Sequence, residues 1–462
     1  MEKVGILVVS YGARAVAMID AFSRSQNYDT QFFVADKQRN PFNAKIAKEH
    51  VVIPDLNINT ICDFAKKHKD EIDFGIIGPE GPIVDGVRDL IEKETKIPVI
   101  CPTKEFTLEG SKVAQRELIE ECVPDVNPRF KVFNPKDYTN EEEVKKEVWS
   151  WLDVFNNQVA VKPDKPAVGK GVGVWGDHFN TREDLFNHFL TIFRNGSAII
   201  EEKIEGEEFS LQFFSDGKHL VETPAVRDYK RAFDGDKGPN TGGMGSYKDV
   251  GDILPFMNRN DWLEALDIGN KIFRKLKGNG MNTGLWGVPM YMAYTIAEDG
   301  LKIFEINSRA GMPEIQNLLP IMKNDFVDVC FSIINGNLTK IDFENQATVV
   351  TYKVPPTYGG KGKEYTGDTR IDLSGAYNLE KKYGNKIRTY PCSMELRDND
   401  TFALKSRTVC VVGIGDNIQT ARKISIEGID AIKGASLWYR KDIASEEHIR
   451  KSIEHVKKLR SD

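Results

Sequence analysis

A glycine-rich segment from Asp228 to Gly245 holds the densest group of residues in this chain that could bind a ligand. Five glycines and one proline lie between Asp234 and Gly245, among carboxylates, basic side chains and an Asn-Thr pair. Glycine lets backbone amides approach a ligand closely and adopt positive φ angles. The segment therefore predicts a polar loop that is ordered by what it binds, and the alternative interpretation is a mobile surface loop.

Two side chains with oxygen ligands lie on the predicted strand Lys302 to Ser308. A period of two puts Glu305 and Asn307 on one face of that strand. A carboxylate and an amide oxygen on a rigid strand suit a hard Mg²⁺ ion whose shell nucleotide phosphates complete. A half-exposed strand would show the same alternation without a metal. The charged, glycine-containing turn that follows, Arg309 to Glu314, favours the metal site.

A glycine turn that carries a lysine follows the predicted strand Gln158 to Lys162. The backbone amides of Gly169, Lys170 and Gly171 would hold polyphosphate oxygens, while ammonium groups neutralise their charge. The turn is not a Walker loop, because the pattern GxxxxGK[ST] before a helix is missing. An ordinary hairpin is the alternative. Lys112, which opens a charged helix, is expected either to meet a phosphate or to be solvated.

Glutamates near the end of a third predicted strand, Ala198 to Ile204, fit a nucleoside site. Backbone amides and carbonyls there would read a base edge, and Glu208 would accept hydrogen bonds from ribose hydroxyls. Glutamates at a strand end are usually solvated, so both interpretations stay open.

The N-terminal region contains the elements that would position a small-molecule site. Its strands alternate with helices, which indicates a parallel doubly wound sheet. Ligands of such sheets lie beyond the carboxyl ends of the strands. Two glycine-bearing loops are expected at that edge, Ser10 to Arg14 and Gly78 to Pro82, and the second carries Glu80. From Leu338 onward, short strands and helices predict a separate unit.

Composition narrows the class of protein further. At 462 residues, with 40% hydrophobic residues and a net charge of −6, the chain is typical of soluble proteins with several cores. The charge gives no reason to expect a nucleic-acid partner, and no segment has the ~20 apolar residues that span a membrane. Six widely spaced cysteines predict buried thiols in a reducing compartment. We therefore expect a cytoplasmic protein.

Together these motifs resemble the phosphoribosylamine–glycine ligases of the ATP-grasp superfamily, collinearly over nearly the whole chain. The most specific match is Asp234-Gly-Asp236 continuing into Gly238-Pro-Asn-Thr-Gly-Gly-Met-Gly245. The other matching motifs are Gly78-Pro-Glu80, Pro102-Thr-Lys104, Leu108 to Lys112, Gly169-Lys-Gly171, Glu201-Glu202, Gly206-Glu-Glu208, Phe304 to Asn307 with Arg309, Val409 to Gly415 and Trp438 to Asp442.

The resemblance implies an α/β fold with an α+β core and three domains. A Rossmann-like domain would span residues 1–101, an ATP-grasp domain 102–337 with a mobile lid at about 123–195, and a small α+β domain 338–462. It also implies that ATP, glycine and 5-phosphoribosylamine yield glycinamide ribonucleotide, ADP and phosphate through a glycyl phosphate, in purine biosynthesis. Mg²⁺ or Mn²⁺ would be the cofactor, and we expect a monomer or a weak homodimer.

The resemblance assigns a role to each matching residue. Arg309, Lys170 and Asn240 would be catalytic, and Glu305 and Asn307 would bind the metal. ATP would contact Lys112, Lys162, Gly169, Lys170, Gly171, Glu201, Glu202, Lys203, Ile204 and Glu208. The other substrates would contact Arg14, Gly78, Glu80, Asp228, Lys230, Arg231, Asn240, Thr241, Gly242, Gly243 and Arg309.

The sequence departs from the family where the two smaller substrates would bind. The family's first loop reads Gly-Gly-Arg-Glu-His-Ala, and this chain keeps Arg14 but has Ala15 and Val16 next. Met312 replaces a carboxylate, and Tyr229 stands where the family often has His. A ligase that joins another acid or amine is therefore the alternative function. A non-catalytic nucleotide-binding protein is disfavoured, because the residues expected to be catalytic are present.

Overall fold

The computed structural model describes residues 1–166, 171–360, 362, 365, 367, 369–434 and 436–461. The N-terminal alternation forms a five-stranded parallel sheet in the order β3-β2-β1-β4-β5. Its strands are β1 Glu2–Val9, β2 Tyr28–Asp36, β3 Glu49–Val52, β4 Phe74–Ile77 and β5 Val99–Ile100. Its helices are α1 Gly12–Ser23, α2 Asn43–Ile46, α3 Ile58–Lys67, α4 Glu80–Asp85 and α5 Val87–Thr95. The sequence pattern missed β3, which is short and only half-buried.

A second unit has its own core, built around Phe133, Val148 and Phe189. Its antiparallel sheet has the order β6-β9-β7-β8. The elements here are α6 Lys112–Cys122, β6 Phe130–Phe133, α7 Glu141–Val154, β7 Val159–Pro163, β8 Gly173–Val174, α8 Arg182–Phe193 and β9 Ala198–Glu202. The part from Phe130 to Glu202, which excludes α6, is called the lid below.

An antiparallel central sheet in the order β11-β10-β16-β17 carries the strand predicted to bind a metal. Its strands are β10 Glu207–Asp216, β11 Leu220–Glu222, β16 Trp286–Ala297 and β17 Gly300–Asn307. Helix α9 Arg259–Lys277 begins with a capping box between Asn258 and Asp261. Helices α10 Glu314–Leu318 and α11 Phe326–Ile334 follow β17.

The glycine-rich segment is ordered by strands of the C-terminal region. Strands β12 Arg227–Asp228 and β15 Gly245–Lys248 flank it and join β18 Ala347–Lys353, β23 Val409–Gly415 and β20 Ile387–Pro391 in one antiparallel sheet. Inside the segment, β13 Arg231–Phe233 and β14 Lys237–Asn240 form a hairpin. The segment is therefore a structured hairpin on a sheet that includes strands from both sides of residue 338.

The remaining elements lie in the C-terminal region. They are β19 Thr369–Arg370, β21 Met394–Arg397, β22 Asp400–Ala403, α12 Ser374–Tyr383, α13 Ile418–Ala431 and α14 Glu446–Leu459. Among the described helices, none has both the length and the apolar composition required to cross a bilayer. The six cysteines are free thiols, and all but Cys122 are buried.

Candidate active site

Four charged side chains from distant parts of the chain meet where the N-terminal sheet contacts the central sheet. Arg309, which follows β17, lies 3.2 Å from Glu109 and 3.5 Å from Glu80. Arg14, in the first turn of α1, donates a hydrogen bond to the carbonyl of Gly78. The structure thus brings together the predicted residues Arg14, Gly78, Glu80 and Arg309.

Burial and mutual charge set the ionisation of this cluster. Burial and the charge of Arg309 lower the pKa of Arg14 to about 10, so Arg14 stays protonated at neutral pH. Burial acts to raise the pKa of Glu80, but the charges of Arg309 and Arg14 outweigh it and hold that pKa below its ordinary value. Two arginines and an ionised glutamate therefore form a polar wall that suits a small zwitterion.

Glu109 is a member of this cluster that the sequence analysis did not single out. Its Oε2 accepts a hydrogen bond from the backbone amide of Ser308 at 3.0 Å, and its own amide donates to Ser308 Oγ at 3.2 Å. Burial raises the pKa of Glu109 despite the charge of Arg309. Glu109 therefore fixes the backbone directly after β17, which positions Arg309. Its membership in the motif Leu108 to Lys112 was the available signal.

The two predicted metal ligands share one face of β17. Asn307 donates a hydrogen bond from Nδ2 to Oε1 of Glu305 at 3.2 Å. Burial acts to raise the pKa of Glu305, but the charges of Lys230 and Lys112 outweigh it and lower that pKa. An ionised carboxylate beside an amide oxygen fits a divalent cation that takes its other ligands from phosphates and water. Among the described residues, no cluster of three or more His, Cys, Asp or Glu side chains offers a competing metal site.

Lys162 and Glu201, both predicted to contact ATP, form a buried network with Arg116. Lys162 Nζ lies 2.6 Å from Glu201 Oε2, and Arg116 donates to both oxygens of that carboxylate at 2.7 and 3.0 Å. The side chain of Glu201 is therefore buried, and it forms ion pairs with two cations. Arg116 is a further residue that the sequence analysis missed.

The other residues predicted to contact ATP lie around the ends of β7, β9 and β10. Glu202 pairs with Arg129 at 2.9 Å, and Lys203 donates to the carbonyl of Trp175 at 2.8 Å. Ile204 lies in the connection between β9 and β10, and Glu208 pairs with Lys230 at 3.0 Å. Lys112 begins α6, and the carbonyl of Gly171 lies 3.0 Å from the ring of His188. Gly169 and Lys170 lie outside the described residues.

The predicted substrate loop, Asn240 to Gly243, begins at the last residue of β14 and continues toward β15, and Gly243 packs against Pro313 in the turn after β17. Thr241 donates to the carbonyl of Lys230 through its amide at 2.7 Å and its hydroxyl at 2.9 Å. Arg231 pairs with Asp177 of the lid at 2.6 Å. Gly243 has a φ of 103°, and a Cβ there would lie 2.7 Å from Asp228 and 2.8 Å from Pro313. Glycine is therefore required at position 243.

Asp228 lies below this loop and next to a second carboxylate. Burial and the negative charge of Glu314 raise the pKa of Asp228 to about 8. Glu314 itself accepts a hydrogen bond from the hydroxyl of Tyr291 at 2.6 Å. Asp228 is therefore a carboxyl group that holds its proton at neutral pH in the unliganded protein.

The acidic part of the glycine-rich segment contacts the C-terminal region instead of an open site. Asp236 pairs with Arg440 and His448, each at 2.7 Å, and Asp234 accepts from the amide of Lys441 at 2.8 Å. The side chain of Arg440 is completely buried. These contacts anchor one end of the hairpin, and the sequence analysis missed Arg440 and His448.

The departures from the family pattern lie mainly in packed positions. Ala15 and Val16 are completely buried, and Val16 belongs to the main hydrophobic core. Met312 packs at the edge of the same core. Tyr229 accepts a hydrogen bond from the amide of Ala444 at 2.9 Å and lies beside His448. Ala15, Val16 and Tyr229 are therefore packing residues, and Met312 is partly buried.

Known proteins resemble both the sequence and the fold. The model of the phosphoribosylglycinamide synthetase N domain matches residues 4–108, and that of its ATP-grasp (A) domain matches residues 124–315. A phosphoribosylamine–glycine ligase of Methanocella arvoryzae is 34% identical over 98% of this chain and 99% of its own length.

Solved structures extend the comparison of the fold. A phosphoribosylamine–glycine ligase of Thermotoga maritima has a TM-score of 0.73 at 22% identity, over 95% of this chain and 100% of its own. The biotin carboxylase domain of a Hydrogenobacter thermophilus 2-oxoglutarate carboxylase, solved with MgADP, has a TM-score of 0.68 at 14% identity, over 98% and 97%. The three-part α/β architecture expected from the sequence is thereby confirmed.

Proposed function

This chain belongs to the phosphoribosylglycinamide synthetase family, and we propose on that premise that it ligates glycine to 5-phosphoribosylamine with cleavage of ATP to ADP and phosphate. The product is glycinamide ribonucleotide, an intermediate of purine biosynthesis. One observation carries the proposal: Glu305, Asn307 and Arg309 lie within five residues of β17 and its turn, beside Arg14 and Glu80. The residues that we propose to bind the nucleotide and its metal therefore lie beside those that we propose to bind the amino acid.

The reaction has two steps that make different demands on these residues. The glycine carboxylate attacks the γ-phosphorus of ATP, giving glycyl phosphate and ADP. The amine of 5-phosphoribosylamine then attacks the acyl carbon and releases phosphate. Held by Glu305 and Asn307, Mg²⁺ or Mn²⁺ would neutralise charge on the phosphates.

The residues of the chain supply positioning and charge. Lys112 and Lys162 would contact the phosphates, together with Gly169, Lys170 and Gly171. Arg309, held by Glu109 and Glu80, would face the developing negative charge of the acyl phosphate. The adenine and ribose would lie along Glu202, Lys203, Ile204 and Glu208. The hairpin loop with Asn240 would shield the acyl phosphate from water.

We also retain the domain boundaries at residues 101 and 337, with a lid at about 123–195. We further propose that the protein is a cytoplasmic monomer or weak homodimer and that it has no nucleic-acid partner. A ligase for another acid or amine is not favoured, because the relative from Methanocella matches over 99% of its length and Ala15, Val16 and Tyr229 are buried.

The test is an assay of purified protein with ATP, Mg²⁺, glycine and 5-phosphoribosylamine made freshly from ribose 5-phosphate and ammonia. We expect ADP formation that requires both glycine and the amine, with one glycinamide ribonucleotide formed per ADP. ADP release that stays at its rate without glycine would refute the assignment. Activity with another amino acid in place of glycine would support the alternative.

A further inference from the structure

We propose that Arg407 is the receptor for the phosphate group of the amine substrate, a role that rests on the function proposed above. Arg407 lies between β22 and β23, where the amide of Ser393 fixes its backbone at 2.8 Å. Its guanidinium lies over the ring of Tyr352, 4.9 Å from the centroid, and reaches the loop that follows β14. The residue therefore lies at the rim of the predicted substrate loop.

The hydrogen bonds of Arg407 leave its charge without a counter-ion. Nη1 donates to the carbonyl of Gly242, with longer contacts of 3.4 Å to the carbonyls of Gly243 and Met312. Within the described ranges, no carboxylate lies within salt-bridge distance of this guanidinium. After Tyr358, Tyr352 and Cys392, the carboxyl group of Asp228 also acts to raise the pKa of Arg407. The pKa of Asp228 is itself raised to about 8, so this carboxyl group holds its proton at neutral pH.

Neighbouring cations around the same site differ in this respect. Lys230, Arg231, Arg309 and Arg440 each pair with a carboxylate, Glu208, Asp177, Glu109 and Asp236 respectively. A half-buried cation that has lost water without gaining a counter-ion is costly, so an arriving anion would stabilise it. Arg407 is thus prepared for an anion that the substrate brings.

Glycine at position 242 allows Arg407 to approach the loop closely. A Cβ at Gly242 would lie 2.9 Å from Nη2 of Arg407 and 3.4 Å from the hydroxyl of Tyr358. That hydroxyl accepts a hydrogen bond from the amide of Gly242 at 3.1 Å. Gly242 therefore lets the guanidinium lie close to the loop. The loop and turn carbonyls are contacted through Nη1, so the other nitrogens of the planar fork remain available to a ligand. Two N–H groups of such a fork match a phosphate monoester, which carries a charge close to −2.

The position also fits the second step of the reaction. Arg407 connects the loop at Gly242 and Gly243 to the turn after β17, whose first residue is Arg309. The phosphate of 5-phosphoribosylamine is the end of the molecule farthest from its nucleophilic nitrogen. Phosphate on Arg407 would direct that nitrogen inward, toward the acyl group beside Arg309.

The experiment compares the phosphorylated amine with ribosylamine, which is made from ribose and ammonia and lacks the phosphate. We expect Arg407→Met to reduce the preference for the phosphorylated amine, measured as the ratio of kcat/KM values, roughly 10- to 100-fold. Arg407→Lys should recover part of the preference, and the KM values for ATP and glycine should change little. Lys405→Met removes an exposed charge two residues away and serves as the matched control.

A purely structural role predicts a different result. If Arg407 only holds the loop, Arg407→Met lowers activity equally with both amines and leaves the ratio unchanged, which overturns the inference. Lys37, a half-buried cation over the ring of Tyr11, is the rival receptor. Loss of the preference in Lys37→Met but not in Arg407→Met would likewise overturn it.

A binding measurement separates this inference from the proposed function. Calorimetric titration with ribose 5-phosphate and with ribose reports on the receptor without turnover. We expect the wild-type protein to bind ribose 5-phosphate more tightly than ribose, and Arg407→Met to lose that difference. If the wild type binds ribose 5-phosphate in this way but forms no glycine-dependent ADP, the proposed reaction fails while the receptor stands. Retention of the difference in Arg407→Met refutes the receptor.

Discussion

Arg116 donates two hydrogen bonds, of 2.7 and 3.0 Å, to the carboxylate of Glu201. The same guanidinium donates to the carbonyls of Ile303 and Phe304 at 2.9 and 2.7 Å. Glu201 belongs to the lid and the two carbonyls belong to β17, the strand with the predicted metal ligands. One arginine therefore connects the lid to the strand that carries the predicted metal ligands.

Glu201→Gln should destabilise the fold by about 3 to 5 kcal/mol, because Arg116 and Lys162 would remain buried without a carboxylate. The measurement is the free energy of unfolding in urea, followed by the fluorescence of the tryptophans in the lid. Glu141→Gln breaks an exposed lid pair with Arg194 and is the control, expected to cost less than about 1 kcal/mol. Equal losses of unfolding free energy in Glu201→Gln and Glu141→Gln would contradict a stabilising role of the buried ion pairs.

The same network predicts a pH dependence of stability. Burial acts to raise the pKa of Glu201, but the charges of Arg116 and Lys162 outweigh it and lower that pKa to about 2. Because the folded pKa lies below the unfolded value, the stabilisation is complete above the unfolded pKa and is lost as pH falls toward 2. The difference in Tm between wild type and Glu201→Gln should therefore shrink as pH decreases below about 4.5. A difference in Tm between the two proteins that stays constant from pH 7 to pH 3 would contradict the lowered pKa of Glu201.

Glu305→Gln should reduce kcat roughly a thousandfold, since charge stabilisation by a bound metal contributes several kcal/mol. A neutral amide would replace the half-buried carboxylate beside Lys230 and Lys112, so the apparent Mg²⁺ requirement should also rise. The assay is ADP formation over a range of Mg²⁺ concentrations. Glu298→Gln, at the exposed turn before β17, is the matched control and should retain full activity. Full activity in Glu305→Gln would mean that the metal lies elsewhere.

Local patterns in the sequence predicted β17 and its polar face, because alternation along one strand does not depend on the rest of the fold. They could not predict the ion pair of Glu201, because its partner Arg116 lies 85 residues away. No pattern near Glu201 indicates that a positive charge will lie beside it. Arg407 was missed for the same reason, since its contact with Gly242 spans 165 residues. Residues whose role depends on a distant partner require the tertiary structure.

The carboxyl group of Asp228 should make the unliganded protein less stable as pH rises. Its pKa is raised to about 8 by burial first and then by Glu314, while Lys230 and Arg407 act in the opposite direction. The folded state therefore binds the proton more tightly than the unfolded state, so stability is lost between the unfolded pKa and about pH 8. Asp228→Asn should remove that loss. The check is Tm for both proteins from pH 5 to pH 9, and parallel curves would refute the prediction.

Asp236→Asn should loosen the glycine-rich hairpin at the end that the C-terminal region holds. Burial acts to raise the pKa of Asp236, but the hydrogen bond to His448 and the charge of Arg440 hold it well below the ordinary range, so the carboxylate is ionised when it binds both. The side chain of Asp236 is 42% exposed, so solvent screens these contacts, and we expect a loss of about 1 kcal/mol.

The functional consequence of Asp236→Asn should be specific to the substrates that the hairpin contacts. Because Asn240 to Gly243 continue directly from the anchored strand, the KM for 5-phosphoribosylamine should rise while the KM for ATP stays near that of the wild type. Asp252→Asn, which breaks an exposed pair with Arg259, is the control for stability and kinetics. If hydrogen exchange of the hairpin amides is the same in Asp236→Asn and wild type, the anchor does not order the loop, since an anchored loop must exchange faster once released.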